Sequence, residues 1–388
     1  MTDTKARLAA AVAANRDEIL AVSHAIHADP EIAFQEIHAS TLVAATVARH
    51  GFTVERPAGS LATAVRGRLA GGLGMDGPRI GILAEYDALP GLGHGCGHNS
   101  MAASGVGAAI ALSAIAPDLR GEIVFLGTPA EEAGSGKAIM IEDGLFDGLD
   151  AALLYHPCDR THTEINALAC SDLEVVYTGL QAHASASPWL GKNALDALIL
   201  LFSSVGLWRQ QLRPDARVHG IIVEGGTASN IIPGRTVARF MVRSEDQARF
   251  EGMEVRFREL VQAAALATGC AAQVTVSSSC STMRHNTTIG AAFRANLGAA
   301  GMVDQGPDAF NGSTDMGNVS HVVPTIHPEL AIVDEGTASH STEFRDAAGG
   351  PRGDATTLMA ATLIAQTAYD LFAEPGLVEA AWREFRGD

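Results

Sequence analysis

At 388 residues the chain has room for two domains, and 47% hydrophobic with 18% charged residues is the balance of a folded globular protein. A formal net charge of −17, with no basic run and no basic patch interleaved with aromatics, argues against nucleic acid or an anionic membrane as a partner. The five cysteines (Cys96, Cys158, Cys170, Cys270, Cys280) are odd in number and scattered, no apolar run reaches membrane-spanning length and the opening residues carry no leader pattern, so a cytoplasmic protein is expected.

Residues 5–22 carry apolar positions at helical spacing, and a second helix is expected over about 34–50. Pro30 marks a turn between them, where His24 and His27 fit packing or capping roles. Residues 79–84 (RIGILA) read as a short buried strand that opens into residues 84–103, AEYDALPGLGHGCGHNSMAA. There Glu85 and Asp87 precede His94, Cys96 and His98, set among glycines that let the backbone wrap tightly, and a helix rich in Ala, Ser and Gly follows. Thiolate and imidazole in such a loop are usual ligands of a borderline-soft divalent metal, although a tight turn around an incidental buried cysteine reads the same way.

Residues 122–127 (EIVFLG) and 151–155 (AALLY) repeat the strand pattern. The first empties into TPAEEAGSGKA, with Glu131 and Glu132, and the second into HPCDR, with His156. Strands alternating with helices predict an α/β fold with sites at the strand ends. A solvated Glu pair or a lone His after a strand is ordinary, but three strand ends releasing Asp87, Cys96 and His98, then Glu131 and Glu132, then His156 is what an active site on such a sheet requires.

From Asp172 the texture changes. LEVVYTGLQAHAS is strand-like and ends at His183, NALDALILLFSSVGLWRQQL reads as a long amphipathic helix, and VHGIIVEGG and TVARFMVRS read as strands around GTASNIIPGR. A helix over about 246–268 and a strand near 273–278 complete a βαββαβ set of small-domain size. The expectation is an inserted α+β domain at 171–284 within an α/β domain, residues 1–170 with 285–388, that has a central mixed sheet flanked by helices. A Gly-rich loop, FNGSTDMGNVSHVVPTIHPELAIVDEGTASHS, holds His321, His327 and His340, and residues 353–372 form an apolar closing helix.

The series DALPGLGHGCGHN, TPAEE, YHP, GLQAHAS, GGTASNIIP and TASHS, in that order and with an insertion of lid size, resembles the amidohydrolase branch of the aminoacylase and carboxypeptidase family of metallopeptidases. That branch includes auxin-conjugate hydrolases, hippurate hydrolases and p-aminobenzoyl-glutamate hydrolases. The resemblance implies two divalent ions held by Cys96, His98, Glu132, His156 and His340, with Glu131 as general base and Asp87 orienting a ligand. It also implies that the inserted, ferredoxin-like domain is a lid and dimerisation domain, from which His183 of the partner subunit reaches the substrate carbonyl. Asn230 and Arg243 match positions that hold a substrate carboxylate in related carboxypeptidases.

Two departures stand out. Asn99 follows Cys-Gly-His where the branch commonly has Asp, as in the sub-branch resembling p-aminobenzoyl-glutamate and dipeptide hydrolases. Glu85 stands where many relatives outside the branch have a metal-binding His. The activity implied is hydrolysis of an amide in an N-acyl or N-aryl amino acid or a dipeptide with a free carboxylate. Zinc is suggested by the thiolate, and manganese or cobalt suit the other donors. A catalytically silent binding relative and a deaminase using the same activated water are the alternatives, and the intact Glu131 argues against the first.

Overall fold

The computed structural model describes residues 3–307 and 312–388. Its chain divides into two compact units, Met1–Asn166 with Met283–Asp388, and Ala167–Thr282.

The first unit opens with helices α1 (Asp3–Ala14), α2 (Arg16–Ala28) and α3 (Ile37–Arg49). The helical pattern over 5–22 is thus two helices, parted at Asn15, whose side chain donates to the Ala11 carbonyl. There follow β1 (Thr53–Glu55), β2 (Val65–Ala70), β3 (Arg79–Glu85), α4 (His98–Ser113), β4 (Glu122–Thr128), α5 (Gly136–Glu142), β5 (Ala151–Leu153) and β6 (His156–Cys158).

The second unit is β7 (Ala169–Thr178), α6 (Ala194–Trp208), β8 (Ala216–Glu224), β9 (Arg235–Ser244), α7 (Gln247–Thr268) and β10 (Ala271–Cys280). The chain then completes the first unit with α8 (Thr287–Ala299), α9 (Met316–Ser320), β11 (Thr325–Ile326), β12 (Glu329–Ala331), α10 (Thr342–Ala348), α11 (Pro351–Ala373) and α12 (Pro375–Arg386). Of the Gly-rich loop read from the sequence, Phe310 and Asn311 lie outside the described residues.

The first unit is built on a mixed sheet of order β1-β2-β4-β3-β5-β11, parallel from β4 to β11 and antiparallel at β1 and β2. Every residue of β4 is buried and β3 is buried beyond Arg79, which is why both read as unbroken apolar runs. Helix α4 is buried from His98 to Leu112, so its lack of a polar face is expected. Gly105 lets it lie directly on the sheet, since a Cβ there would fall 2.5 Å from the Leu83 carbonyl oxygen. A separate parallel pair, β6 with β12, aligns His156 with Glu329.

The second unit is an antiparallel sheet of order β10-β7-β9-β8 with α6 and α7 packed on one face. Asn193 and Asp246 cap those helices by accepting from the backbone N–H groups of Leu195 and Arg249. The edge strand β8 leaves Ile221, Ile222 and Val223 exposed. No helix among the described residues is long and apolar enough to cross a membrane.

Candidate active site

Strands β3, β4 and β5 run parallel, so the chain leaves all three at the same edge of the sheet. Asp87 follows β3, Glu131 and Glu132 follow β4, and His156 opens β6 just after β5. Cys96 reaches them through Gly97, which takes the left-handed φ of 78° as the cap of α4. A Cβ on Gly97 would sit 2.5 Å from Pro157 Cγ, and that close approach leaves Cys96 Sγ 3.5 Å from His156 Nε2.

His98, the first residue of α4, donates from Nδ1 to the Asp87 carbonyl and to Asp87 Oδ1, each at 3.0 Å. Nδ1 therefore carries a proton, and Nε2 faces Glu85 Oε2 at 3.3 Å and Glu131 Oε2 at 3.9 Å. The other oxygen of Asp87 accepts from the Glu132 backbone N–H at 2.9 Å, so one carboxylate fixes two of the predicted ligands. Glu132 Oε2 lies 3.6 Å from His340 Nε2. His340 itself holds a left-handed φ of 61° and donates its backbone N–H to Gly95, which docks it on the Cys96 loop. His156 has its Nδ1 2.6 Å from the Pro157 carbonyl, which leaves Nε2 for Cys96.

Three groups of donors result, each with its atoms within 4.8 Å of one another: Cys96, His98 and His156; Cys96, Glu132 and His340; Glu85, His98 and Glu131. Cys96 is common to the first two. His94 is not among them; it bonds the Ile26 carbonyl and is held to a pKa of about 3 by burial and by the imidazoles of His98 and His27.

The chemistry of this cluster fits divalent cations. His98 Nε2 and Glu132 Oε1 are buried with no hydrogen-bond partner among the described residues. Burial, then the Glu132 charge, pushes the Cys96 thiol well up, so ionising it needs a compensating positive charge. Burial with the neighbouring His327 and His98 holds His156 down to about 3, a neutral imidazole able to ligate. His98 moves the other way. Burial opposes its charge, but the hydrogen bond to Asp87 and the charges of Asp87 and Glu85 outweigh burial. Glu131 is pushed well above the usual carboxylate range by burial and by Glu85, Glu132 and Asp315, so ionising it as a base calls for the positive charge that cations at this cluster would supply.

One part of the site has no signal in the sequence. Lys137, wholly buried at the start of α5, places Nζ 2.5 Å from both Glu85 Oε1 and Asp315 Oδ1. Its backbone N–H donates to the other oxygen of Asp315. Glu85 is thereby an ion-pair partner, and despite burial the charges of Lys137, His98 and His327 bring its pKa down to about 2.

His183, Asn230 and Arg243 lie in the second unit. The His183 and Asn230 loops are neighbours, through a bridge between His183 and Ile231 and a hydrogen bond from the Ala184 N–H to the Asn230 carbonyl. His183 is exposed, and its Nδ1 accepts from the backbone of Ser185 and Ala186, leaving Nε2 as the N–H donor. Arg243 stands opposite Cys170 and Arg217, at the far end of β9 from Arg235 and therefore about 26 Å along the strand.

Relatives match this chain over most of its length. The Xaa-Arg dipeptidase of Mus musculus is 37% identical over 98% of the chain and 92% of its own length. A p-aminobenzoyl-glutamate hydrolase component of Escherichia coli (strain K12) is 30% identical over 72% of the chain and 62% of its own. Among solved structures, a dinuclear metal binding peptidase from Bacillus subtilis shares the fold with a TM-score of 0.68 at 20% identity, over 93% of this chain and 99% of that one. The family described as Peptidase family M20/M25/M40 matches residues 81–356, and on that match and the identity with the mouse dipeptidase the chain belongs to this family of metallopeptidases.

Proposed function

We propose that the chain is a metal-dependent amidohydrolase that releases an amino acid with a free carboxylate from an acyl group, an aryl group or a second amino acid, with Glu131 as general base. The observation that carries this reading is the gathering of Cys96, His98, Glu132, His156 and His340 into two donor groups that share Cys96, with Glu131 Oε2 3.9 Å from His98 Nε2. Cys96, His98, Glu132, His156 and His340 would hold two divalent ions, zinc or manganese with cobalt also suited, and such ions polarise a scissile carbonyl and lower the pKa of water.

Around that pair each residue has a task. Glu131 takes the proton of the attacking water and delivers it to the leaving nitrogen. Asp87 holds the His98 ring and the Glu132 backbone in register. The Nε2–H of His183 meets the developing oxyanion, a contribution of about 3 kcal/mol for one donor. Asn230 and Arg243 bind the substrate carboxylate, Arg243 as a planar fork.

A homodimer joined through the second unit belongs to the same reading. The distance along β9 separating the His183 and Asn230 loops from Arg243 supports it, because two copies would then complete each site. The exposed Ile221, Ile222 and Val223 on edge strand β8 support it as well. Scattered cysteines support a cytoplasmic location, and the charge of −17 supports the absence of nucleic acid and membrane partners.

The test is a substrate screen of dipeptides, N-acyl amino acids and aryl-glutamates with metal-stripped and reloaded protein. Reloaded wild type should hydrolyse at least one class, stripped protein none, and Glu131→Ala should keep its metal while losing about 10²- to 10⁴-fold in kcat. Wild-type rates in Glu131→Ala, or a protein that takes up no metal, would overturn the proposal.

A further inference from the structure

The segment PEIAFQE, between α2 and α3, has no part in the chemistry above, yet it fastens both loops that carry the acids. The Ala88 backbone N–H donates to the Glu31 carbonyl at 2.8 Å and Ile32 bridges to Ala88, next to Asp87. Glu36, fully buried, accepts at one oxygen, Oε1, from the backbone N–H groups of Phe34 and Ala130, each at 2.9 Å. Ala130 immediately precedes Glu131 and holds a left-handed φ of 61°, a conformation an alanine leaves unless something holds it. Phe34, also left-handed at 64°, lies against Gly134, where a Cβ would fall 2.3 Å from Phe34 Cε2. One segment therefore grips the 130–134 loop on either side of Glu131 and Glu132.

We propose that Glu36 is a positioning residue for the hydrolytic reaction: by holding the N–H of Ala130 it keeps that residue left-handed and so keeps the Glu131 carboxylate aimed at the attacking water. The proposal rests on Glu131 being the general base. Glu132 has its own anchor in Asp87, so loss of Glu36 displaces the base more than the ligand.

The experiment compares wild type with Glu36→Ala, Glu36→Gln and the double variant Glu36→Ala/Ala130→Gly. Each is measured for kcat, KM, bound metal and amide exchange of the peptide covering 129–134. A displacement of about 1 Å at a reacting group costs on the order of 100-fold in rate, so Glu36→Ala should lose about 10- to 100-fold in kcat, with KM within about 2-fold and metal content unchanged. Glu36→Gln keeps an acceptor oxygen and should stay within about 3-fold of wild type. Glycine takes the left-handed region without penalty, so the double variant should regain several-fold over Glu36→Ala.

An unchanged kcat in Glu36→Ala, a Gln variant as impaired as the Ala variant, or a kcat loss that tracks metal loss would overturn the proposal. If wild type hydrolyses no substrate, the functional reading fails, and the exchange measurement still decides the anchoring. Faster exchange at 129–134 in the Ala variant but not in the Gln variant supports the anchor, and equal exchange in both overturns it.

Discussion

Lys137→Met separates the electrostatics of the site from its packing, because methionine nearly preserves the length of the side chain while removing its charge. The lost ammonium lies 2.5 Å from Glu85 Oε1 and 2.5 Å from Asp315 Oδ1, and all three groups are buried. Without it two carboxylates face one another, and the cheapest remedy is for one of them to take a proton. Neutralising an aspartate whose unfolded pKa is about 3.9 costs about 4 kcal/mol at pH 7 and about 1.5 kcal/mol at pH 5, at 1.36 kcal/mol per unit. The first figure lies within the 3–5 kcal/mol typical of a broken buried pair.

The sign follows from linkage. The folded variant holds a proton that its unfolded chain releases, and in folded wild type burial raises Asp315 to about 6, so wild type sheds that proton as pH rises through about 6 and the deficit of the variant grows from pH 5 to pH 7. Thermal unfolding of metal-stripped wild type and variant across that range reads this out. At about 2–4 °C per kcal/mol, the variant should melt roughly 10 °C lower at pH 7 and only a few degrees lower at pH 5. Adding Asp315→Asn, which removes one of the opposed charges, should recover part of the loss at pH 7. A deficit under about 1 kcal/mol at pH 7, or one that does not change with pH, would refute the reasoning.

Three further outcomes are expected. Stripping the metal should lower the melting temperature, since ions present at about 100 times Kd stabilise the folded state by about 2.7 kcal/mol; identical melting with and without chelator would contradict this. Asp87→Asn loses the charge that fixes the Nδ1 proton of His98 and should weaken metal binding by about 10- to 100-fold in a competition titration. His183→Ala and Arg243→Ala, each inactive alone, should recover about a quarter of wild-type activity when unfolded and refolded together, because half the dimers would carry one competent site of two; no recovery would count against a shared site.

Much of the architecture could be read from apolar periodicity, and the parts that could not have particular causes. RIGILA and EIVFLG read as strands because their residues are buried on both faces of the sheet. Strand β2 escaped because VRGRLA places Arg66 and Arg68 outward, where they pair with Glu55 and Glu122. Helix α8 is capped by Asn286, whose side chain accepts from the Ile289 N–H; this Asn-Thr-Thr-Ile start is a capping signal the apolar pattern alone does not register. The two-residue strand β11 and three-residue strand β12 are too short to carry a period at all.

The site divides along the same line. Cys96, His98, Glu132, His156 and His340 could be named because the short motifs they stand in resemble those of a known family. Lys137 could not, since GSGKA reads as an exposed loop cation, and only the carboxylates of Glu85 and Asp315, both distant in sequence, make its burial tolerable. Glu36 is the same case: one acid in a turn, given meaning by the backbone N–H of Ala130. Arg243 shows the converse, a residue picked out by the family resemblance whose closeness in sequence to Asn230 misleads about its place. It follows Asn230 by 243 − 230 = 13 positions, close in sequence, but the chain between them ends in an extended strand that advances about 3.3 Å per residue. Along such a strand sequence separation becomes physical distance. On the proposed reading, in which both residues touch one small substrate, a second copy of the chain would bring the other end of the strand to it.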